Sequence, residues 1–305
     1  MSKKANLSYQ CTSAINDAFK PGMDKHSIKK SEGSDYRIYS YASRDDMISF
    51  AKQFSRYIKE NFQEIKQVKE IKIEHINSYL SSRKNVTEKT IRHDISCINK
   101  LELCCSKKFG LKNLDWRTGR EVPKTEKEKI REAVFSDHQI NQLKEYFENR
   151  KDSCGKTAFE VALRTSCRVS ELCKLQARDF RINPDGTGTL AIIDSKGKRS
   201  RVIELTSDDV KFFKELVGDK KENERLIPIR ENSINQYLHR ACQHLGFTNI
   251  LEAKTGYHSL RKATIQKYYR ELIPVVGEKR ARELSMVRLG HSANRSDLVH
   301  TYLRI

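Results

Sequence analysis

Residues 188–205 read GTLAIIDSKGKRSRVIEL. Two runs rich in β-branched residues flank a turn of glycine and lysine, which predicts a β-hairpin with one further strand beside it. Around the hairpin the period is helical. Apolar residues recurring every three to four positions predict helices through about 148 and near 155–165, 170–176, 207–217, 231–245, 258–272, 278–288 and 296–304. Ser136 and Gln139 stand at capping-box spacing and open this region. The expected fold is therefore mostly α with a small antiparallel β-sheet in a C-terminal domain spanning 134–305.

Upstream lies WRTGREVPKTEKEKIREAVFS, polar and charged, with its apolar residues scattered. It reads as an interdomain linker, placed at 116–133. Before it, residues 43–115 form a small helical module. Met47, Phe50, Phe54 and Ile58 mark one helix, for which Ser43 is the expected cap. Ile73, Ile76 and Leu80 mark a second. Ile91, Ile95, Ile98, Leu101 and Cys105 mark a third, which opens after Thr87 and stops at Gly110. Residues 1–42 carry turn signals at KPGMDKHS and KKSEGSD and read as a short helix near 10–19 followed by a basic arm.

The chain has 305 residues, with 59 Lys and Arg against 40 Asp and Glu, a net charge of +19. Such a surplus calls for a polyanionic partner, nucleic acid first and an anionic membrane surface second. No apolar run approaches the ~18 residues of a membrane span, and no apolar core follows the basic N-terminus. A cytoplasmic protein is expected. The eight cysteines show no C-x-x-C spacing, which argues against a zinc ribbon or a redox pair; Cys97, Cys104 and Cys105 read as small core residues on a helix. No metal site and no cofactor are expected. SCGKTA ends like a phosphate-binding loop, but Arg150 occupies the position of its first glycine.

The polar residues of the C-terminal region form an ordered set. Arg168 begins a helix in ALRTSCRVSELCKLQARDF, where it can meet an anion or simply pair with Glu171. Lys196 sits at the hairpin tip, with Lys198, Arg199 and Arg201 behind it, either as a solvated basic turn or as a mobile loop delivering one lysine. His258 and Arg261 are three apart and project to one side of a helix. His291 follows a glycine turn in RLGHS, and Tyr302 lies three residues from the last position. A tyrosine there either docks a last short helix or acts as a nucleophile. Two arginines can clamp the non-bridging oxygens of a phosphodiester and stabilise five-coordinate phosphorus. Two histidines can donate to those oxygens or move a proton. Surrounding cations favour the anion of a tyrosine whose unperturbed pKa is about 10.

This pattern resembles the tyrosine recombinase, or phage integrase, family, over most of 43–305. The family's T-G-x-R-x-S-E-L stands here as Thr165-Ser166-Cys167-Arg168-Val169-Ser170-Glu171-Leu172. Its K-G-x-x-x-R runs from Lys196 to Arg201, its H-x-L-R is His258 to Arg261, its L-G-H is Leu289 to His291, and its tyrosine matches Tyr302. The resemblance implies a two-domain DNA clamp, with 43–115 as the core-binding, DNA-binding domain and 134–305 as the catalytic domain, that cleaves and rejoins strands at specific sites through a 3′-phosphotyrosyl link, without ATP or metal. By the same resemblance Arg168 and Arg261 bind the scissile phosphate, Lys196 is the general acid, His258 and His291 handle protons and donate to phosphate, and Tyr302 is the nucleophile. It further implies integration or excision of a bacterial or phage mobile element, duplex DNA with inverted-repeat half-sites, a tetramer on that DNA that passes through a Holliday junction, and accessory DNA-bending proteins. A type IB-like topoisomerase shares the chemistry, and a non-catalytic DNA-binding protein would share the charge. Three departures stand out. Ser166 replaces a glycine, Lys262 follows Arg261 where histidine is common and is expected to add charge for the DNA backbone, and the stretch SANRSD lengthens the gap from His291 to Tyr302.

Overall fold

A computed structural model describes residues 6–33, 35–112, 114–116, 122, 125, 133–151, 153–193 and 200–303. The chain divides into two compact units, residues 1–129 and 130–305. Most of the expected linker, 116–133, lies outside the described residues.

The first unit contains helices α1 (Leu7–Asp17), α2 (Lys25–Glu32), α3 (Tyr41–Asn61), α4 (Ile73–Ser82) and α5 (Glu88–Phe109). The apolar stripes read from the sequence face inward: Met47, Phe50, Phe54 and Ile58 of α3, Ile76 and Leu80 of α4, and Ile91, Ile98, Leu101 and Cys105 of α5 are all buried. Thr87 caps α5, and Gly110 ends it at φ +65°, a conformation glycine adopts without a Cβ clash. The cap of α3 is Ser40 rather than Ser43; its side chain accepts from the Ser43 N–H at 3.1 Å. The helix begins at Tyr41, six residues before the first residue of its apolar stripe, Met47, because the stripe begins only where the core does. The described part of residues 6–42 is also packed into the unit, not an arm. Leu7, Cys11, Ala14 and Ile15 of α1 are buried in the unit's core, and a parallel bridge joins Phe19 to Ile38. Trp116 is fully buried, with its indole N–H on the Ile71 carbonyl at 3.0 Å.

The second unit contains α6 (Asp137–Glu148), α7 (Cys154–Thr165), α8 (Val169–Leu172), β1 (Phe180–Ile182), β2 (Gly188–Ile192), β3 (Arg201–Leu205), α9 (Ser207–Val217), α10 (Glu231–His244), α11 (Thr248–Ala253), α12 (Tyr257–Val276), α13 (Glu278–Arg288) and α14 (Ser296–Leu303). The reciprocal Ser136–Gln139 box closes the start of α6 at 3.1 Å in both directions. The hairpin strands β2 and β3 pair antiparallel, Gly188 opposite Leu205 and Ile192 opposite Arg201, and β1 is the further strand on β2. Leu190, Ile192, Ile203 and Leu205 turn one face of this sheet into the main core, with Phe159, Phe213 and Leu238 among the helical residues. A separate cluster joins α12, α13 and α14 through Ile265, Tyr269, Met286, Leu289, Tyr302 and Leu303. The last helix is thus packed against the unit through Tyr302 itself. Among the described residues no helix is long and apolar enough to cross a membrane.

Candidate active site

Three helix ends build the site. The first is the C-terminus of α7. Ser166, in the glycine position of the motif, adopts the left-handed conformation at φ +54° and caps the helix through its N–H to the Ala162 carbonyl. Its hydroxyl lies 2.9 Å from the Thr264 hydroxyl, which ties the strained turn to α12. The second is the start of α8, where Arg168 is the residue before the helix. The third is the C-terminus of α13. There Gly290, at φ +75°, lets the Gly290 N–H reach the Val287 carbonyl at 2.8 Å and the His291 N–H reach the Met286 carbonyl at 2.9 Å. This double closure turns the chain so that His291 follows directly.

Glu171 sits at the centre, 3% exposed. Its carboxylate accepts from the Arg168 backbone N–H and from Arg168 Nη1, both at 2.7 Å. Arg201 donates to both carboxylate oxygens, at 3.0 and 2.8 Å. Arg261 Nη1 is 3.7 Å away. The arginines also satisfy helix ends whose carbonyls have no partner within the helix. Arg201 Nε donates to the Arg288 carbonyl at 2.8 Å. Arg261 donates to the Ser166 carbonyl and to the Leu289 carbonyl, both at 2.5 Å. Cations at the C-termini of α7 and α13 meet the negative ends of those helix dipoles. A methyl group on Gly290 would stand 3.0 Å from Arg201 Nη1, so the turn and the guanidinium are in close approach.

Tyr302 is 8% exposed and lies against this cluster. Its ring centroid is 5.7 Å from that of His258 and 5.6 Å from that of His291, and the Arg261 guanidinium is 6.0 Å from it. Its backbone carbonyl accepts from Gln266 of α12 at 2.8 Å. The added residues between His291 and Tyr302 therefore do not carry the tyrosine away from the histidine. The other candidate tyrosines are held elsewhere: Tyr257 is buried in the main core, Tyr269 donates to Glu278, and Tyr268 stacks on the Arg288 guanidinium.

The local field is strongly positive. Burial, with Arg168 beside it, pulls Arg261 down to about 10, still charged at neutral pH. Burial also pulls His291 down to about 4, with Arg168, Arg261, Arg295 and Arg201 acting in the same direction, so its imidazole is neutral near pH 7. Two buried nitrogens at the site have no hydrogen-bond partner among the described residues, Nε of Arg261 and Nε2 of His291. Such groups are rare in folded proteins, and here they leave hydrogen-bonding capacity for an incoming oxygen.

Of the six residues singled out in the sequence, Arg168, His258, Arg261, His291 and Tyr302 come together, whereas Lys196 lies outside the described residues. Lys262 is 5% exposed, so its charge is not presented on the surface as expected. The sequence reading gave Glu171 no role beyond a partner for Arg168 and gave Arg201 none of its own. Their signal was present in the two motifs that contain them.

Two family models match the chain: the phage integrase family over residues 133–278 and the phage integrase N-terminal region over residues 29–108. No curated protein matches. Among solved structures, the fold is similar to the XerH site-specific recombinase bound to difH (16% identity, TM-score 0.57, covering 97% of this chain and 90% of that one). It is similar also to a lambda integrase dimer bound to a COC′ core site (16% identity, TM-score 0.60, 96% and 80%). A third likeness is to the Tn1549 transposon integrase with transposon right-end DNA (12% identity, TM-score 0.51, 96% and 98%).

Proposed function

The chain belongs to the phage integrase family and is a tyrosine recombinase, an enzyme of site-specific DNA recombination; on that premise we propose that it breaks and rejoins DNA through a 3′-phosphotyrosyl intermediate on Tyr302. The observation that carries this reading is the placement of Tyr302 against His258, His291 and Arg261, next to the three arginines gathered by Glu171. Packing of the last helix accounts for the tyrosine's burial. It does not account for the two histidines and the guanidinium around its ring.

In the proposed reaction the Tyr302 oxygen attacks the scissile phosphorus. A Tyr–O–P bond forms and the bond from phosphorus to the 5′-oxygen breaks. Arg168 and Arg261 take the non-bridging oxygens and stabilise the five-coordinate charge. His258 and His291 donate to the phosphate and handle the tyrosine proton. Lys196 gives a proton to the departing 5′-oxygen. The phosphodiester energy is kept in the covalent link, so a 5′-hydroxyl can reverse the step without a nucleotide cofactor. The low proton affinity of His291 in the free protein follows from burial first and then from its cationic neighbours. A bound phosphate offsets those charges and raises it toward the range useful for proton transfer.

The partner is proposed to be duplex DNA carrying inverted-repeat half-sites, engaged by a tetramer, with accessory DNA-bending proteins where the site requires them. Integration or excision of a mobile element in a bacterial or phage setting is the proposed role. The net charge of +19 supports a polyanionic duplex as partner, and the similar folds of XerH and lambda integrase are found on DNA. The test is a nicked suicide substrate built from inverted repeats flanking the gene. The expected result is an SDS-resistant adduct whose nucleotide maps to Tyr302. An adduct mapped to Tyr268 or Tyr269 would overturn the assignment, and relaxation of plasmids lacking the repeats would favour a topoisomerase.

A further inference from the structure

We propose that Asp46, His93 and Cys97 form a binding site for one zinc-class transition-metal ion in the helical unit. His93 and Cys97 are four residues apart on α5 and so share a face, and Asp46 comes from the neighbouring α3. The His93 Nε2 atom lies 3.0 Å from the Asp46 carboxylate and 3.6 Å from the Cys97 sulfur. All three ligand atoms lie within 4.8 Å of one another. Zinc takes nitrogen and oxygen at about 2.0–2.1 Å and sulfur at about 2.3 Å in a tetrahedron, which sets ligand-to-ligand edges at about 3.3–3.6 Å. The side chains already stand near those separations.

A plain ion pair between His93 and Asp46 accounts for only half of this geometry. An imidazole nitrogen carries one proton or one lone pair, in the ring plane. Here one Nε2 faces a carboxylate oxygen and a sulfur together, as edges of a common polyhedron do. Accessibility fits an ion entering from solvent. The side chains of His93 and Asp46 are 50% and 54% exposed, while Cys97 is 4% exposed and shields the inner side. A fourth ligand would come from water on the exposed side of His93 and Asp46. A thiolate with an imidazole selects zinc or cobalt over magnesium and calcium, which take oxygen ligands. Burial, with Asp46 and then Asp94 adding negative field, pushes the free Cys97 thiol up to about 12. Coordination therefore displaces one thiol proton to solvent as the metal–sulfur bond forms. The ion would cross-link α3 to α5, and binding only the folded unit it would stabilise that unit. This inference is independent of the chemistry proposed for Tyr302.

The test is Co²⁺ titration into the full-length chain after chelator treatment and desalting. The expected result is one Co²⁺ per chain with a sulfur-to-cobalt charge-transfer band and tetrahedral ligand-field bands. Zn²⁺ should bleach these bands and raise the unfolding midpoint of the helical unit. H93Q removes an exposed ligand with little risk to folding, and together with C97S it should weaken Co²⁺ at least about 10–100-fold and lose the band. Absence of a charge-transfer band in the wild type would overturn the proposal. So would a band that persists in both variants, which would place the metal on other cysteines.

Discussion

The two units bury polar side chains in different ways. In the helical unit, the buried groups His75, Asp94 and Glu102 hold different partners: His75 accepts from the Lys72 N–H at 2.9 Å, Asp94 from Arg83 at 3.0 Å, and Glu102 from the Trp116 N–H at 3.0 Å. In the second unit Thr165, Ser166, Glu171, Arg261, Lys262 and Thr264 are all buried. There one carboxylate gathers three arginines. The first arrangement is what helix packing needs. The second concentrates like charges in a low-dielectric place, which folding alone disfavours. The proposed contact with a phosphate would answer that charge, and on that reading the contrast sets the second unit apart from the first.

The largest expected effect tests that separation at the tyrosine. Tyr302→Phe removes one oxygen from a residue whose ring does the packing. It should form no covalent adduct on a nicked substrate while binding the same DNA with near-normal affinity, read by gel shift beside SDS electrophoresis. Retained adduct would remove Tyr302 from the chemistry. Next in size, Lys196→Ala should slow cleavage by about 10²–10⁴-fold with little change in binding, the usual cost of a lost general acid. A 5′-bridging sulfur, which leaves without protonation, should restore the rate. Rescue of Lys198→Ala instead would move the role two residues along the chain.

The third test compares the two buried acids directly. Glu171→Ala strands the buried guanidiniums and should destabilise the second unit by about 3–5 kcal/mol. Asp94→Ala leaves Arg83, whose side chain is 21% exposed and can rehydrate, and should cost only about 1–3 kcal/mol. Trp116 is the chain's single tryptophan and is buried in the helical unit, so its fluorescence isolates that unit's unfolding while circular dichroism follows both. Equal losses would break the comparison. The smallest effect concerns pH. The folded protein holds His291 near 4 and the unfolded chain near its ordinary 6.5. Between those values the unfolded state binds more protons, so this group's contribution is present above about pH 6.5 and is lost as pH falls toward 4. His291→Gln should flatten that part of the unfolding midpoint against pH. An unchanged slope would mean that burial and the arginines do not hold His291 down as their positions imply.

Much of the architecture was legible in local chemistry. The Thr87 cap, the Gly110 stop, the Ser136–Gln139 box and the paired strands at 188–192 and 201–205 each depend on residues close in sequence, and each is found where the sequence places it. The helices α2 and α11 were not legible. The first, KHSIKKSE, carries a single apolar residue, and the second has six residues, so neither shows a repeating apolar stripe. The built-in position of α1 was also hidden, because Leu7, Cys11, Ala14 and Ile15 give only a short stripe whose partners lie on α3 and α5, many residues downstream. At the site, five of the six candidates proved to be neighbours. The carboxylate that holds the arginines was read only as a partner for Arg168, since a glutamate three residues after an arginine at a helix start is also an ordinary local pair.

By itself, the sequence determined the helical and strand segments, the order of the Arg, Lys, His-x-x-Arg, Gly-His and Tyr motifs, and the surplus of positive charge, because these follow from spacing and residue type. Only the tertiary structure decided that Ser166 supports the left-handed turn left to it, that Lys262 is buried, and that Tyr302 reaches His291 despite the longer connection. It alone made Glu171 and Arg201 the frame of the site. The physical reason is that a buried charge is defined by what surrounds it. Arg201 is 30 residues from Glu171, and Arg261 is 28 residues from the Leu289 carbonyl it caps, so no local window holds both the charge and the groups that keep it in place.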